Sequence, residues 1–359
     1  MTRTAWSRLT LGLLLFLLIS IVCSVVIIDP FEIYHEALFY IPPIDNGTQN
    51  YSNAGIAKSY DYDSVVIGSS MTENFSTKLL DAQLGGSFVK LPINGGSPFN
   101  HKQMMDLAFS THDVQRILYG VDVEALTYFY KTPKCEMPEY LYDDNLLNDT
   151  QYWFNMSVLG KFLPRCLATL GQSDPDLRDT MYNWGDLYDY GREAALRGIR
   201  INGKTIPQKE QAPVLSQQSR LNVEHNYLPY IESHPETEFL FFFPPYSAAM
   251  WYRFYTLGDL DYHLAQKEAL TEILLQYDNV KVFDFQARTD WILDLNNYID
   301  ASHYGPWIND AMTMHIARDE YRVTDTAVIS ANNDVIRALV GDIVACGAWP
   351  DAFPSAVTD

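Results

Sequence analysis

The chain has 359 residues and a mass of 41.0 kDa, enough for one large α/β domain carrying an insertion. Apolar residues make up 47% and charged residues 19%, so a large core can form and wholesale disorder is excluded. With 45 acidic and 25 basic residues the formal net charge is -20, which excludes nucleic acid as a partner for the bulk of the protein.

The first element is apolar. Leu9 to Ile28 reads LTLGLLLFLLISIVCSVVII, 20 residues without a charge. As a helix this run spans about 30 Å at ~1.5 Å per residue, one hydrocarbon core. Arg3 and Arg8 precede it, and Asp29, Glu32 and Glu36 follow it. The positive-inside rule then predicts a single-pass cell-membrane protein, with residues 1–8 cytoplasmic and the main domain extracytoplasmic. A cleaved signal peptide is the competing reading. Its apolar region usually runs about 7–15 residues before a small-residue cleavage site; this run is longer and no A-x-A follows. In an oxidising compartment Cys135 and Cys166 can form a disulfide, two unpaired buried thiols being the alternative. The four cysteines contain no C-x-x-C pair, so neither a zinc ribbon nor a thioredoxin motif is present.

Residues 29–62 are aromatic and polar without a clear period and read as a connector packed on the domain. Short apolar runs then alternate with helical patterns. Ser64–Gly68 is a first buried strand, followed by a helix around Ser76–Gln83. Phe88–Ile93 is a second strand, and a helix around Lys102–Ser110 leads to a third, Arg116–Val121. Residues from about 125 to 207 break the rhythm with a segment rich in Tyr, Trp, Asp and Asn, read as an insertion on the rim. Ser216–Ile231 returns the chain to the sheet as a helix. Glu238–Phe243 (EFLFFF) is the strongest strand, Leu257–Tyr277 a long amphipathic helix, Val280–Phe285 a fifth strand, and Val335–Val344 a closing helix. Strands apolar on both faces, alternating with helices, predict a three-layer α/β sandwich: a parallel sheet of about five strands covered by helices over residues 63–345, preceded by one transmembrane helix and followed by a tail at 346–359.

In such sheets ligands bind at the carboxyl ends of the strands. Those ends carry Gly68-Ser69-Ser70 with Asn74, Asn94-Gly95-Gly96, Gly120-Val121-Asp122, Pro244-Pro245-Tyr246-Ser247 and, beyond the fifth strand, Asp300-Ala301-Ser302-His303. The Asp300–His303 spacing places both side chains on one face of a helical turn. A carboxylate can then hold one imidazole nitrogen while the other meets a serine hydroxyl, as nucleophilic catalysis requires. Ser70 opens a helix after a strand, where N–H groups can bind an oxyanion. Each residue also has a plainer reading: Ser70 as a helix N-cap, His303 as a structural histidine beside Tyr304, Asp300 as a turn cap. No D-x-[DN]-x-[DN]-G loop, G-x-S-x-G elbow, Walker motif or H-E-x-x-H occurs, so no metal or cofactor is expected.

These motifs resemble the SGNH (GDSL-like) hydrolase superfamily, especially its membrane-anchored Gram-positive bacterial branch, over roughly residues 29–310. Gly68-Ser69-Ser70 matches the first block with Ser for the usual Asp, Gly96 or Gly95 the second, and Asp300-x-x-His303 the last. The phrases YDSVVIGSSMTENF, INGGSPFN and FFFPPYS share the likeness. The resemblance implies an extracytoplasmic serine esterase or O-acyltransferase, with Ser70 as nucleophile, His303 as base and Asp300 orienting it. It further implies acyl esters, chiefly acetyl, of a cell-wall or exported polysaccharide as substrate class, and a membrane-embedded acyl donor protein as a partner. One block departs. Where the family has Gly-x-Asn-Asp, this chain has Gly120-Val121-Asp122, without the amide that donates to the oxyanion. Asp122 must be turned away, protonated or otherwise employed, and the oxyanion is left to the Ser70 and Gly96 N–H groups with Asn74 or Asn94. The alternative is a catalytically silent glycan-binding or assembly protein on the same fold.

Overall fold

The computed structural model describes residues 2–197, 199 and 214–346. The chain divides into two compact units, residues 1–61 with 136–177, and residues 62–135 with 178–359.

The larger unit holds the sheet. Its strands are β1 (Ser64–Ile67), β2 (Phe88–Lys90), β3 (Arg116–Gly120), β4 (Glu238–Phe243), β5 (Val280–Asp284) and β6 (Arg322–Val323), in the spatial order β2-β1-β3-β4-β5-β6. The first five pair in parallel and β6 pairs antiparallel with β5. All four residues of β1 and five of six in β4 are buried, as expected of strands covered on both faces. The chain thus forms a three-layer α/β sandwich with a mostly parallel sheet, preceded by one long apolar helix. The five expected strands are all present; β6, two residues long, is too short for a hydrophobic pattern to reveal.

Two helices after β1 and β2 are α3 (Thr77–Leu84) and α4 (Pro98–Thr111). Because β2 lies on one side of β1 and β3 on the other, right-handed crossovers put α3 and α4 on opposite faces. Accordingly α3 packs with Pro306–Ala317, and α4 with Val223–Tyr227. The order reverses at β1, which makes its carboxyl end the topological switch point. The expected helix over Leu257–Tyr277 is present but shorter, Leu260–Leu274, and a separate helix, Ala248–Leu257, precedes it. Gly258 between them is left-handed (φ 79°) and caps the earlier one by donating to the Phe254 and Tyr255 carbonyls. The closing helix is longer than expected, Thr326–Cys346. Residues 198 and 200–207 of the expected insertion, 208–213 after it, and 347–359 of the tail lie outside the described residues.

The smaller unit begins with α1 (Arg3–Ile28), long and apolar enough to cross a membrane, with a mean hydropathy of 3.1. Its last turn is the part that packs: Val25 and Ile28 are buried, while Leu9 to Ile19 are largely exposed. Asp29 and Glu32 follow in left-handed conformation (φ 43° and 58°), with both side chains buried. The Asp29 carboxylate accepts the Tyr34 and His35 N–H groups and the Tyr152 hydroxyl; Glu32 accepts the Ala37 N–H and the Tyr60 hydroxyl. Burial outweighs these bonds and pushes the two carboxyls up, to about 6 and about 7. Within the expected connector lies a helix the sequence pattern hides, α2 (Gln49–Ser59). Gly55 lets it approach the chain at Phe31, whose carbonyl oxygen would stand 1.8 Å from an added Cβ. Cys135 and Cys166 are free thiols.

Candidate active site

The site is built on the turn after β1. Gly68 has φ 157°, and a Cβ there would lie 2.6 Å from the Thr72 methyl carbon. Gly120, at the end of β3, would meet the same methyl at 2.6 Å. The two glycines make room for Thr72, whose N–H and hydroxyl both donate to the Ser69 carbonyl. That closes a tight 3-10 turn, Ser70–Thr72, with Ser70 first. The first N–H of such a turn has no acceptor inside it and faces outward. Ser70 is partly exposed between buried neighbours.

Asp300 and His303 come together in a different way from the expected helical turn. Residues 300–303 form an Asx-type loop, closed by the Tyr298–Tyr304 bridge and by the Ile299 N–H donating to the His303 carbonyl. One Asp300 oxygen, Oδ1, accepts the Ser302 N–H (2.8 Å), the Ser302 hydroxyl (3.3 Å) and the His303 N–H (2.8 Å). Its other oxygen, Oδ2, is 2.7 Å from His303 Nδ1. The loop is fixed from both sides. The Ser247 N–H and hydroxyl donate to the Ala301 carbonyl, while the Tyr304 hydroxyl and the Asn309 amide donate to the Met71 carbonyl. Through Met71 the loop is bound to the turn carrying Ser70, and Ser70 Oγ stands 2.7 Å from His303 Nε2.

Charge sets the proton positions. Burial works to raise the Asp300 carboxyl, but the His303 hydrogen bond and charge, with the loop N–H groups, hold it down at about 2. Asp300 is therefore ionised near neutrality and can only accept, so Nδ1 of neutral His303 carries the proton and Nε2 is free to accept from the Ser70 hydroxyl. Burial works to lower the His303 pKa, but the bond and charge of Asp300, with the more distant charges of Glu73 and Asp122, raise it.

The remaining predicted residues are distributed around this relay. The Gly96 N–H donates to the Ile93 carbonyl (2.8 Å), so it is already engaged, contrary to its expected role as an oxyanion donor. Gly95 beside it is left-handed (φ 61°) and partly exposed, with no atom of the described residues within 4 Å of an added Cβ. Ile93 donates to the Gly68 carbonyl, tying this turn to the one after β1. Asn94 is exposed, and its carbonyl accepts the Cys135 thiol. The Asn74 Oδ1 accepts the N–H groups of Trp184 and Gly185, which leaves its buried Nδ2 without a hydrogen-bond partner among the described residues. Asp122 is turned into a bond of its own: it accepts the Tyr246 hydroxyl and the Glu124 N–H. Sequence reasoning missed Trp184. Its indole donates to the Ser70 carbonyl (3.3 Å) and stands edge-on to the His303 ring at 5.6 Å. The only sequence signal was the aromatic richness of the segment around it.

Comparison with known proteins gives no family for the chain: no family model matches it, and no curated protein matches it.

Proposed function

We propose that the protein is a membrane-anchored serine esterase or O-acyltransferase of the SGNH type. The observation that carries this reading is the continuous relay Ser70 Oγ–His303 Nε2 and His303 Nδ1–Asp300 Oδ2, both links 2.7 Å, at the switch point of a parallel sheet. In this reading Ser70 attacks an ester carbonyl as His303 Nε2 takes its proton. Asp300 stabilises the imidazolium, which returns the proton to the leaving oxygen. The acyl group then rests on Ser70 until water or a sugar hydroxyl, deprotonated by His303, removes it. The Ser70 and Gly95 N–H groups and the unpartnered Asn74 amide are the candidate oxyanion donors. Each such donor contributes about 2.7–4 kcal/mol of barrier lowering in enzymes of known mechanism. Acyl esters of a cell-wall or exported glycan, an acyl donor protein in the membrane and an extracytoplasmic domain come from the family resemblance and from the charge asymmetry flanking α1.

A second reading, a silent glycan-binding or assembly protein, is favoured by Asp122, which stands where the family has its amide donor. Labelling by a fluorophosphonate separates the two. The full-length protein in detergent is expected to form a Ser70 adduct that Ser70→Ala and His303→Ala abolish while their thermal unfolding stays cooperative. A folded wild type that takes up no label sinks the enzymatic reading.

A further inference from the structure

The smaller unit exposes apolar side chains that the proposed chemistry does not use. Resting on the reading that α1 crosses a bilayer, we infer that Leu38, Phe39, Leu167 and Leu170 form a collar that inserts into the interface of that same bilayer, around the point where α1 leaves it. These four are 78%, 40%, 46% and 48% exposed, which is unusual for such residues grouped together.

Their grouping follows from hydrogen bonds and packing. The Gly171 N–H donates to the Phe39 carbonyl (2.7 Å), and the Ile41 N–H donates to the Thr169 hydroxyl (3.0 Å), which joins the 38–41 loop to the turn after the helix Leu163–Ala168. Leu163 lies one turn before Leu167 on that helix and packs against a buried cluster of Ile28, Tyr40 and Cys166. Ile28 is the last residue of α1 and marks the edge of its apolar run. The junction is clamped, with the Tyr40 hydroxyl donating to the Asp29 carbonyl (3.0 Å) and Tyr152 to the Asp29 carboxylate (2.9 Å). Tyr40 and Leu163, neighbours of the collar in the chain and on the helix, thus link it to the residue at the hydrocarbon boundary. Apolar groups of interfacial elements sink about 5–10 Å into that boundary, the depth this inference assigns to the collar.

Charge agrees. Residues 158–171 contain Lys161 and Arg165 and no acidic residue, within a chain of net charge -20. Arg165 is half-exposed beside Asp45 at 3.4 Å, and Lys161 lies over the Phe162 ring. Long basic side chains beside an apolar patch reach lipid phosphates while their stems stay in the interface. The occupant is lipid, with a protein partner as the competing outcome.

The test places p-benzoylphenylalanine singly at positions 16, 39, 167, 170 and 147 of the full-length protein in liposomes containing clickable phosphatidylglycerol. Position 16 reports the anchor itself, and Leu147, 85% exposed, lies outside the collar. Illumination is expected to give lipid adducts at 16, 39, 167 and 170 and a loss of adduct at 147. Adducts at 16 but none at the three collar positions would overturn the collar and leave the anchor standing. Adducts at the collar positions no stronger than at 147, or to protein in place of lipid, would also overturn it. No adduct at 16 would remove both the anchor and the collar.

Discussion

Asp300→Asn tests the relay at the atom where the reasoning is most exposed. In the native loop Asp300 Oδ1 accepts three donors, two N–H groups and a hydroxyl, so the amide oxygen of an asparagine is held on that side. Its NH2 group then falls where Oδ2 was, 2.7 Å from His303 Nδ1, and only an unprotonated Nδ1 can accept it. The imidazole is forced into the tautomer with its proton on Nε2, pointed at Ser70, and cannot act as base. The corresponding change in a serine protease lowers kcat by about 10⁴, or about 5 kcal/mol at 1.36 kcal/mol per decade. The rate of fluorophosphonate labelling is the assay, since it reads the activated serine without a known substrate. Asp300→Ala is the companion: it leaves the tautomer free, so its loss is expected to be smaller than that of Asp300→Asn. The pH profile carries a second check. His303 is a base only when neutral, and its pKa is raised above the ordinary 6.5, so wild-type labelling rises with pH through a midpoint above 6.5. In Asp300→Ala the main raising partner is gone while burial, which lowers, remains, so the midpoint moves to lower pH. Asp300→Asn labelling within tenfold of wild type, on a folded protein, would refute the relay.

Three further outcomes follow from the same geometry. Gly120→Ala drives a Cβ to within 2.6 Å of the Thr72 methyl and 3.1 Å of Phe242, and is expected to destabilise by about 1–3 kcal/mol in urea; Thr72→Ser, which deletes that methyl, should restore part of it, and no restoration would show that the clash lies elsewhere. Trp184→Phe keeps a ring beside His303 but loses the bond to the Ser70 carbonyl, so labelling should slow severalfold, by about 0.5–1.5 kcal/mol, with little change in melting; Trp184→Ala should cost about 3–5 kcal/mol of stability. Lys90 is fully buried, donates to the Glu73 and Asp179 carbonyls and to Asn183 Oδ1, and burial lowers its pKa to about 7. Above that value the unfolded chain binds the extra proton, so stability should rise with pH from about 7 towards the 10.5 of a free lysine, and the difference between wild type and Lys90→Met should show that slope in denaturation titrations at pH 7–9.

What could be seen in the sequence was what repeats or contrasts. The runs SVVI and EFLFFF announce strands because a covered sheet wants apolar residues on both faces, and the spacing of Asp300 from His303 survives as a local loop even though the loop is not helical. What could not be seen depends on packing and on the path of the backbone. The helix Gln49–Ser59 buries Ser52, Asn53 and Gly55 in place of an apolar stripe, so its period carries no hydrophobic signal. Gly96 matched a family block by type, but whether its N–H is available is decided by the Ile93 carbonyl in the turn. Trp184 is one aromatic among many until the fold brings it to His303. Asp122 looked like a defect in an oxyanion site; Tyr246, at the end of another strand, gives its carboxylate a different occupation.

The Met71 carbonyl, gripped by Tyr304 and by Asn309, has a temporal consequence. Ser70 and His303 are 233 residues apart, and Asn309 is 238 residues from Met71. At ~5–20 residues per second of synthesis, the serine emerges roughly 10–50 s before its histidine exists. During that interval the Ser70 hydroxyl lacks its His303 partner. In the proposed reading the serine gains its base only once the segment carrying His303 and Asn309 has docked, so a chain stopped before residue 303 carries the serine without the group that would activate it.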